Sequence, residues 1–92
     1  MAWFVKIERG IVDKSTFDQF VPAHLQYVKA LIEQGACART GYWKEAPGGM
    51  LLFKADSFEQ AQAMVEQDPL IQNKCVDYEL HEWVMVAGEF PD

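Results

Sequence analysis

The stretch ACARTGYWKEAPGGMLLFKA, residues 36–55, decides the fold. Two strand-like runs, 36–43 and 50–55, flank Lys44-Glu45-Ala46-Pro47-Gly48-Gly49, whose proline and paired glycines suit a chain reversal. The two runs are therefore expected to pair as an antiparallel hairpin. Both alternating sets within residues 50–55 are largely apolar, so this strand has one side for a core and apolar surface left over on the other.

Toward the amino terminus, Trp3, Val5 and Ile7 alternate with Phe4, Lys6 and Glu8, the period of a strand over roughly residues 2–8 with one fully apolar face. Arg9-Gly10 reads as a turn. Pro22 suits the first turn of a helix, followed by Leu25, Val28, Leu31 and Ile32 at helical spacing and by Gly35 as the stop. Residues 16–20 read as a preceding helical turn kinked at the proline, and Ser15 lies in the segment before it. Toward the carboxyl terminus, Ser57 with Gln60 three positions on forms a capping box, and Phe58, Ala61, Met64 and Val65 make one apolar stripe. That helix is expected to end near Asp68, because Pro69 disfavours helical geometry in the residue before it. Residues 75–86, with Val76, Tyr78, Leu80, Trp83 and Val84, form the last strand.

The order β-α-β-β-α-β is that of the ferredoxin-like split β-α-β unit, an α+β fold with two helices on one face of a four-stranded antiparallel sheet. Ninety-two residues are enough for a single domain, 1–92, and no repeat or linker divides them. The uncovered face is expected to carry Phe4 with apolar residues of the third and fourth strands. Such a face invites burial by a second copy, so a homodimer formed face to face is the expected partner state.

Composition narrows the function further. Half of the residues are apolar and the formal net charge is -6, with eight basic residues scattered from Lys6 to Lys74. This opposes binding to nucleic acid or anionic membranes. Residues 1–5 run directly into a strand pattern without a leader, and no window reaches transmembrane length, so a cytoplasmic location is expected. Cys37 and Cys75 are isolated and read as free thiols. Two histidines and two distant cysteines give no ligand pair at metal-site spacing, and neither a phosphate-binding glycine loop nor a nucleophile elbow is present. No metal or cofactor is expected.

Short connections make the strand and helix directions alternate, which brings one end of the sheet together. Gathered there are the exit of the first strand, the start of the first helix with His24, the 44–49 hairpin and Asp68. A carboxylate beside a histidine can fix the ring tautomer and stabilise the imidazolium formed when the ring takes a proton. Gly48 and Gly49 would let backbone approach a ligand at that end, and their amides could meet a developing oxyanion. Tyr27, one turn after His24, either lines the site or packs beneath the hairpin. Each piece also has an ordinary explanation: a surface histidine, an Asp-Pro helix stop, a Gly-Gly turn. His81, beside Glu79 and Glu82 on the last strand, reads as a surface residue, and Trp3, Trp43 and Trp83 as core or interface aromatics.

The ordered set Pro22-Ala23-His24-Leu25, Leu31, Gly35, Gly41, Gly48-Gly49, Ser57-Phe58-Glu59-Gln60-Ala61 and Asp68-Pro69 resembles the YciI-like (YCII-related) family over nearly the whole chain. The resemblance implies a ferredoxin-like, dimeric α+β barrel with an active site on a histidine and an aspartate, matching His24 and Asp68. One related branch removes chloride from a chlorinated hydroxyhydroquinone, which implies proton transfer or elimination on a small cyclic or phenolic molecule. Three positions depart from the family pattern. Val21 stands where an arginine often precedes Pro-Ala-His, Tyr42 where a proline often follows the glycine, and Leu70 where an aromatic often follows Asp-Pro. Loss of that arginine removes an anion anchor, leaving either a less acidic substrate or Arg39 in its place.

Three functions stay open at this point. The first is a small-molecule acid/base enzyme using His24 and Asp68, with Tyr27, Gly48, Gly49 and Arg39 toward the substrate. The second is a non-catalytic metabolite-binding or accessory module acting as a dimer. The third is an enzyme like the monooxygenases and isomerases of similar barrel architecture, with its site in the cleft between helices and sheet.

Overall fold

The computed structural model describes residues 1–89; the last three residues of the expected domain, 90–92, lie outside them. The element order is β1 (Ala2–Gly10), α1 (Lys14–Glu33), β2 (Arg39–Tyr42), β3 (Gly49–Ala55), α2 (Phe58–Val65), α3 (Pro69–Gln72) and β4 (Val76–Trp83). The strands form one antiparallel sheet in the order β2-β3-β1-β4, the ferredoxin-like arrangement expected from the sequence.

The expected sidedness of β1 is reversed. Phe4, Lys6 and Glu8 lie on the buried, helix-covered face, whereas Trp3, Val5 and Ile7 lie on the open one. Phe4 packs with Leu51, Phe53, Ala55, Leu31, Ala61 and Val65 in the main core. An apolar count favours the other assignment, because it treats Lys6 and Glu8 as solvent residues. Burying charge is costly unless the charges are paired, and here they are paired with each other and with Asp68.

The first helix also begins earlier than Pro22. It runs for 20 residues from Lys14, with the Asp13 side chain accepting a hydrogen bond from the Thr16 amide at 3.2 Å. Pro22 therefore sits inside the helix. An interior proline costs about 3 kcal/mol. Phe17 and Phe20 on the preceding turns, both partly buried, help to offset it by packing onto Leu70, Cys75 and Val76, each by less than the about 1.5–3 kcal/mol of a fully buried side chain.

The second helix ends at Val65, short of Asp68, and a third helix follows that the sequence reading did not include. Asp68 starts that turn rather than stopping the previous one. Its backbone is extended, its side chain accepts from the Leu70 amide at 3.0 Å, and Pro69 takes the first helical position. Asp-Pro is thus an N-cap followed by N1, a pairing as native to a helix start as to a helix end. Ser57 caps α2 as expected, accepting from the Gln60 amide at 3.0 Å. Strand bounds are tighter than expected for β2 and β4, and β1 is longer.

Candidate active site

The site is assembled from three elements. β1 delivers Lys6 and Glu8 to the buried side of the sheet, α1 delivers His24, and the corner between α2 and α3 delivers Asp68. Asp68 is fully buried and receives three donors. Lys6 Nζ donates to Oδ2 at 2.9 Å, the Leu70 amide to Oδ1 at 3.0 Å, and His24 Nδ1 lies 2.9 Å from Oδ1 and 3.0 Å from Oδ2. Lys6, itself without exposed surface, also meets Glu8 Oε1 at 3.3 Å. The four side chains form a line of alternating charge and polarity: Glu8, Lys6, Asp68, His24.

The electrostatics fix the direction of the hydrogen bond to His24. Burial alone would push the Asp68 carboxyl up, but the His24 hydrogen bond, the Lys6 charge and a charge on His24 outweigh burial and hold it below the usual carboxylate range. Asp68 is therefore an acceptor at neutral pH, so Nδ1 of the imidazole carries the hydrogen. In the neutral ring the opposite nitrogen, Nε2, then holds the lone pair. It has no hydrogen-bond partner among the described residues, and the side chain retains 14% exposure. This is the geometry of a histidine available as a general base.

Tyr27 lies next to His24, with ring centroids 6.4 Å apart, but its hydroxyl is engaged, donating to the Met64 carbonyl at 2.6 Å. Burial, with the charges of Asp68 and Glu8, raises the phenol and keeps it protonated. Tyr27 thus ties α1 to the end of α2. The Cys75 thiol, buried nearby, is likewise pushed up by burial and by Asp68.

The structure does not gather the remaining expected residues around His24. A Cβ at Gly48 would collide with the Glu8 carbonyl, and one at Gly49 with the Gly41 carbonyl. The two glycines serve the close approach of β1, β3 and β2, beside Glu8 rather than beside the imidazole. Arg39 registers with Leu52, which registers with Val5, so it stands on the open face of the sheet. There its guanidinium lies 5.8 Å from the Trp3 ring centroid, and it donates to the Cys37 carbonyl at 3.2 Å. With the sheet between them, Arg39 does not substitute for the missing arginine at position 21.

Lys6 and Glu8 are the site residues that sequence reasoning missed. Their signal was present: they share a face with Phe4 on a strand whose neighbour, β3, is apolar on both sides. A cleft of about 430 Å³ lies between the 44–49 hairpin and the sheet, lined by Ile7, Glu8, Trp43, Pro47, Tyr78 and Glu79. Among the described residues no group of three or more His, Cys, Asp or Glu side chains is placed to hold a metal ion. No helix of the described residues is long and apolar enough to cross a membrane.

Fold and site together define a ferredoxin-like α+β protein with a histidine and an aspartate joined beneath its helices. The chain belongs to the YCII-related domain family, which matches residues 3–84 and bears out the resemblance drawn from its sequence. Among solved structures it is similar to 5-chloro-2-hydroxyhydroquinone dehydrochlorinase (TftG) from Burkholderia phenoliruptrix AC1100, in complex with 2,5-dihydroxybenzoquinone. The TM-score is 0.69 with 20% identity, covering 89% of this chain and 93% of that one. At that identity the likeness is one of fold. Comparison with curated proteins gave no match.

Proposed function

We propose that the chain is a small-molecule acid/base enzyme of one domain, 1–92, in which His24 transfers the proton and Asp68 orients and stabilises it. The observation that carries this reading is the 2.9 Å contact between Nδ1 and a buried, ionised Asp68, with Nε2 left unengaged. The reaction class is proton transfer or elimination on a small cyclic or phenolic substrate, supported by the fold shared with a dehydrochlorinase. In an elimination, Nε2 takes the proton, the C–H electron pair becomes the new π bond, and the leaving group departs with its own pair. With Val21 and Arg39 providing no cation beside His24, a substrate without a strongly anionic group suits the site.

The working form in this proposal is a cytoplasmic homodimer joined through the open sheet face. Trp3, Val5, Ile7, Met50, Leu52 and Trp83 share that face, and Ile7 and Trp83 remain 38% and 44% exposed. Cys37 and Cys75 are free thiols, in keeping with a reducing compartment.

The test is chloride release from 5-chloro-2-hydroxyhydroquinone, together with solvent-deuterium uptake into ring C–H positions of hydroquinones, by wild type and His24→Asn. Loss of general-base catalysis should slow the variant by about 10²-fold or more, with its circular dichroism unchanged. Equal rates in a folded variant would overturn the role of His24. No turnover and no shift in NMR titrations with these probes would favour the accessory-module alternative.

A further inference from the structure

The charged pair on β1 is an unusual expense for a fold of this size. Lys6 has no exposed surface and Glu8 is 9% exposed, yet Glu8 uses only half of its acceptor capacity. Oε1 meets Lys6 at 3.3 Å, while Oε2 is buried with no hydrogen-bond partner among the described residues. A carboxylate kept mainly for stability would have both oxygens satisfied, because an unsatisfied buried acceptor costs about 1–3 kcal/mol. What Glu8 does supply is a negative charge on the far side of the ammonium that also holds Asp68.

We propose that Lys6 and Glu8 are positioning residues for the His24–Asp68 pair: Lys6, shared between two carboxylates, sets how much of the Asp68 charge reaches His24. The inference rests on the reading of His24 as the proton-transfer group and identifies what tunes it. With Glu8 present, the Lys6 charge is divided, and Asp68 keeps enough negative character to stabilise an imidazolium. Without Glu8, the whole ammonium charge falls on Asp68, and the imidazolium loses support. The other titratable groups coupled to this cluster are Tyr27, whose ring lies beside His24, and Cys75 before β4, which feels the Asp68 charge. Tyr27 and Cys75 are both pushed upward, out of the range in which a histidine titrates.

The test follows the two histidine Hε1 resonances of the full chain by NMR from about pH 4 to 9, a range spanning ordinary histidine titration. His81 registers with Val5 on the opposite face of the sheet and serves as an internal control. Glu8→Gln is expected to lower the His24 midpoint by about half a pH unit or more, and Lys6→Met to raise it. The double variant should fall between the two, while His81 stays put throughout. Lys6→Arg, which keeps the charge, should hold a midpoint near wild type, and Glu8→Gln carries the test if Lys6→Met fails to fold. A His24 midpoint unmoved in folded Glu8→Gln would overturn the proposal and leave the pair as structure alone. Because this readout is independent of turnover, it can fail while His24→Asn still abolishes catalysis, and the reverse.

Discussion

Lys6 and Asp68 lie 62 positions apart in the chain and meet at 2.9 Å with neither side chain exposed. Breaking a buried pair from one side strands the other charge, at a cost of about 3–5 kcal/mol. Asp68→Asn should therefore lower unfolding free energy by about 3 kcal/mol in urea titrations. Asp68→Ala should lose about 1 kcal/mol more, since the cap on the Leu70 amide goes with it. An Asn variant as stable as wild type would show that the ion pair contributes nothing net.

Acid should expose the same carboxylate. Asp68 is held below its ordinary value in the folded chain, so the unfolded chain binds its proton more readily. The stabilisation is fully present above the unfolded carboxylate value of about 4 and disappears as pH falls through the lower, folded value. The urea midpoint of wild type is expected to drop on acidification below about pH 4 more steeply than that of Asp68→Asn. Parallel curves would assign the acid limb to other carboxylates.

Gly48 has φ +109° and no room for a Cβ against the Glu8 carbonyl, whereas Gly41 has open space. Gly48→Ala should cost about 1–3 kcal/mol through strain and displacement of β1. At about 4–8 °C per kcal/mol for a domain of this length, its melting temperature should fall well below that of Gly41→Ala. Equal melting temperatures would contradict the close approach at Gly48.

Val5 stands near the middle of the open face, registered with Leu52 on one side and His81 on the other. Val5→Lys points away from the core, so the monomer fold should survive while the proposed dimer dissociates. Sedimentation velocity over a concentration series reads this directly. A variant sedimenting as wild type would place any interface elsewhere.

The architecture was largely legible in the sequence because the hairpin, the caps and the alternation are local signals. Ser57 and Gln60 announced α2, and Pro47-Gly48-Gly49 announced the reversal before β3. The facing of β1 was not legible, since it depends on Asp68 neutralising Lys6 from the far end of the chain. Pro22 misled for a related reason: the packing of Phe17 and Phe20 that carries the helix across it involves residues 70–76. For the candidate site, strand and helix directions sufficed to bring His24 and Asp68 together. The same directions could not tell which face Arg39 occupies, which depends on strand register.

A single carboxylate begins α3 and also clasps Lys6 and His24, so the four-residue helix and the charged cluster share one latch. An excursion that unwinds the 69–72 turn would take away the Leu70 amide, one of the three donors that hold the carboxylate against the imidazole. If His24 and Asp68 work as proposed, the local opening of one helical turn, rather than unfolding of the whole domain, would limit how long they stay aligned, and deuterium exchange at the Leu70 amide would report it.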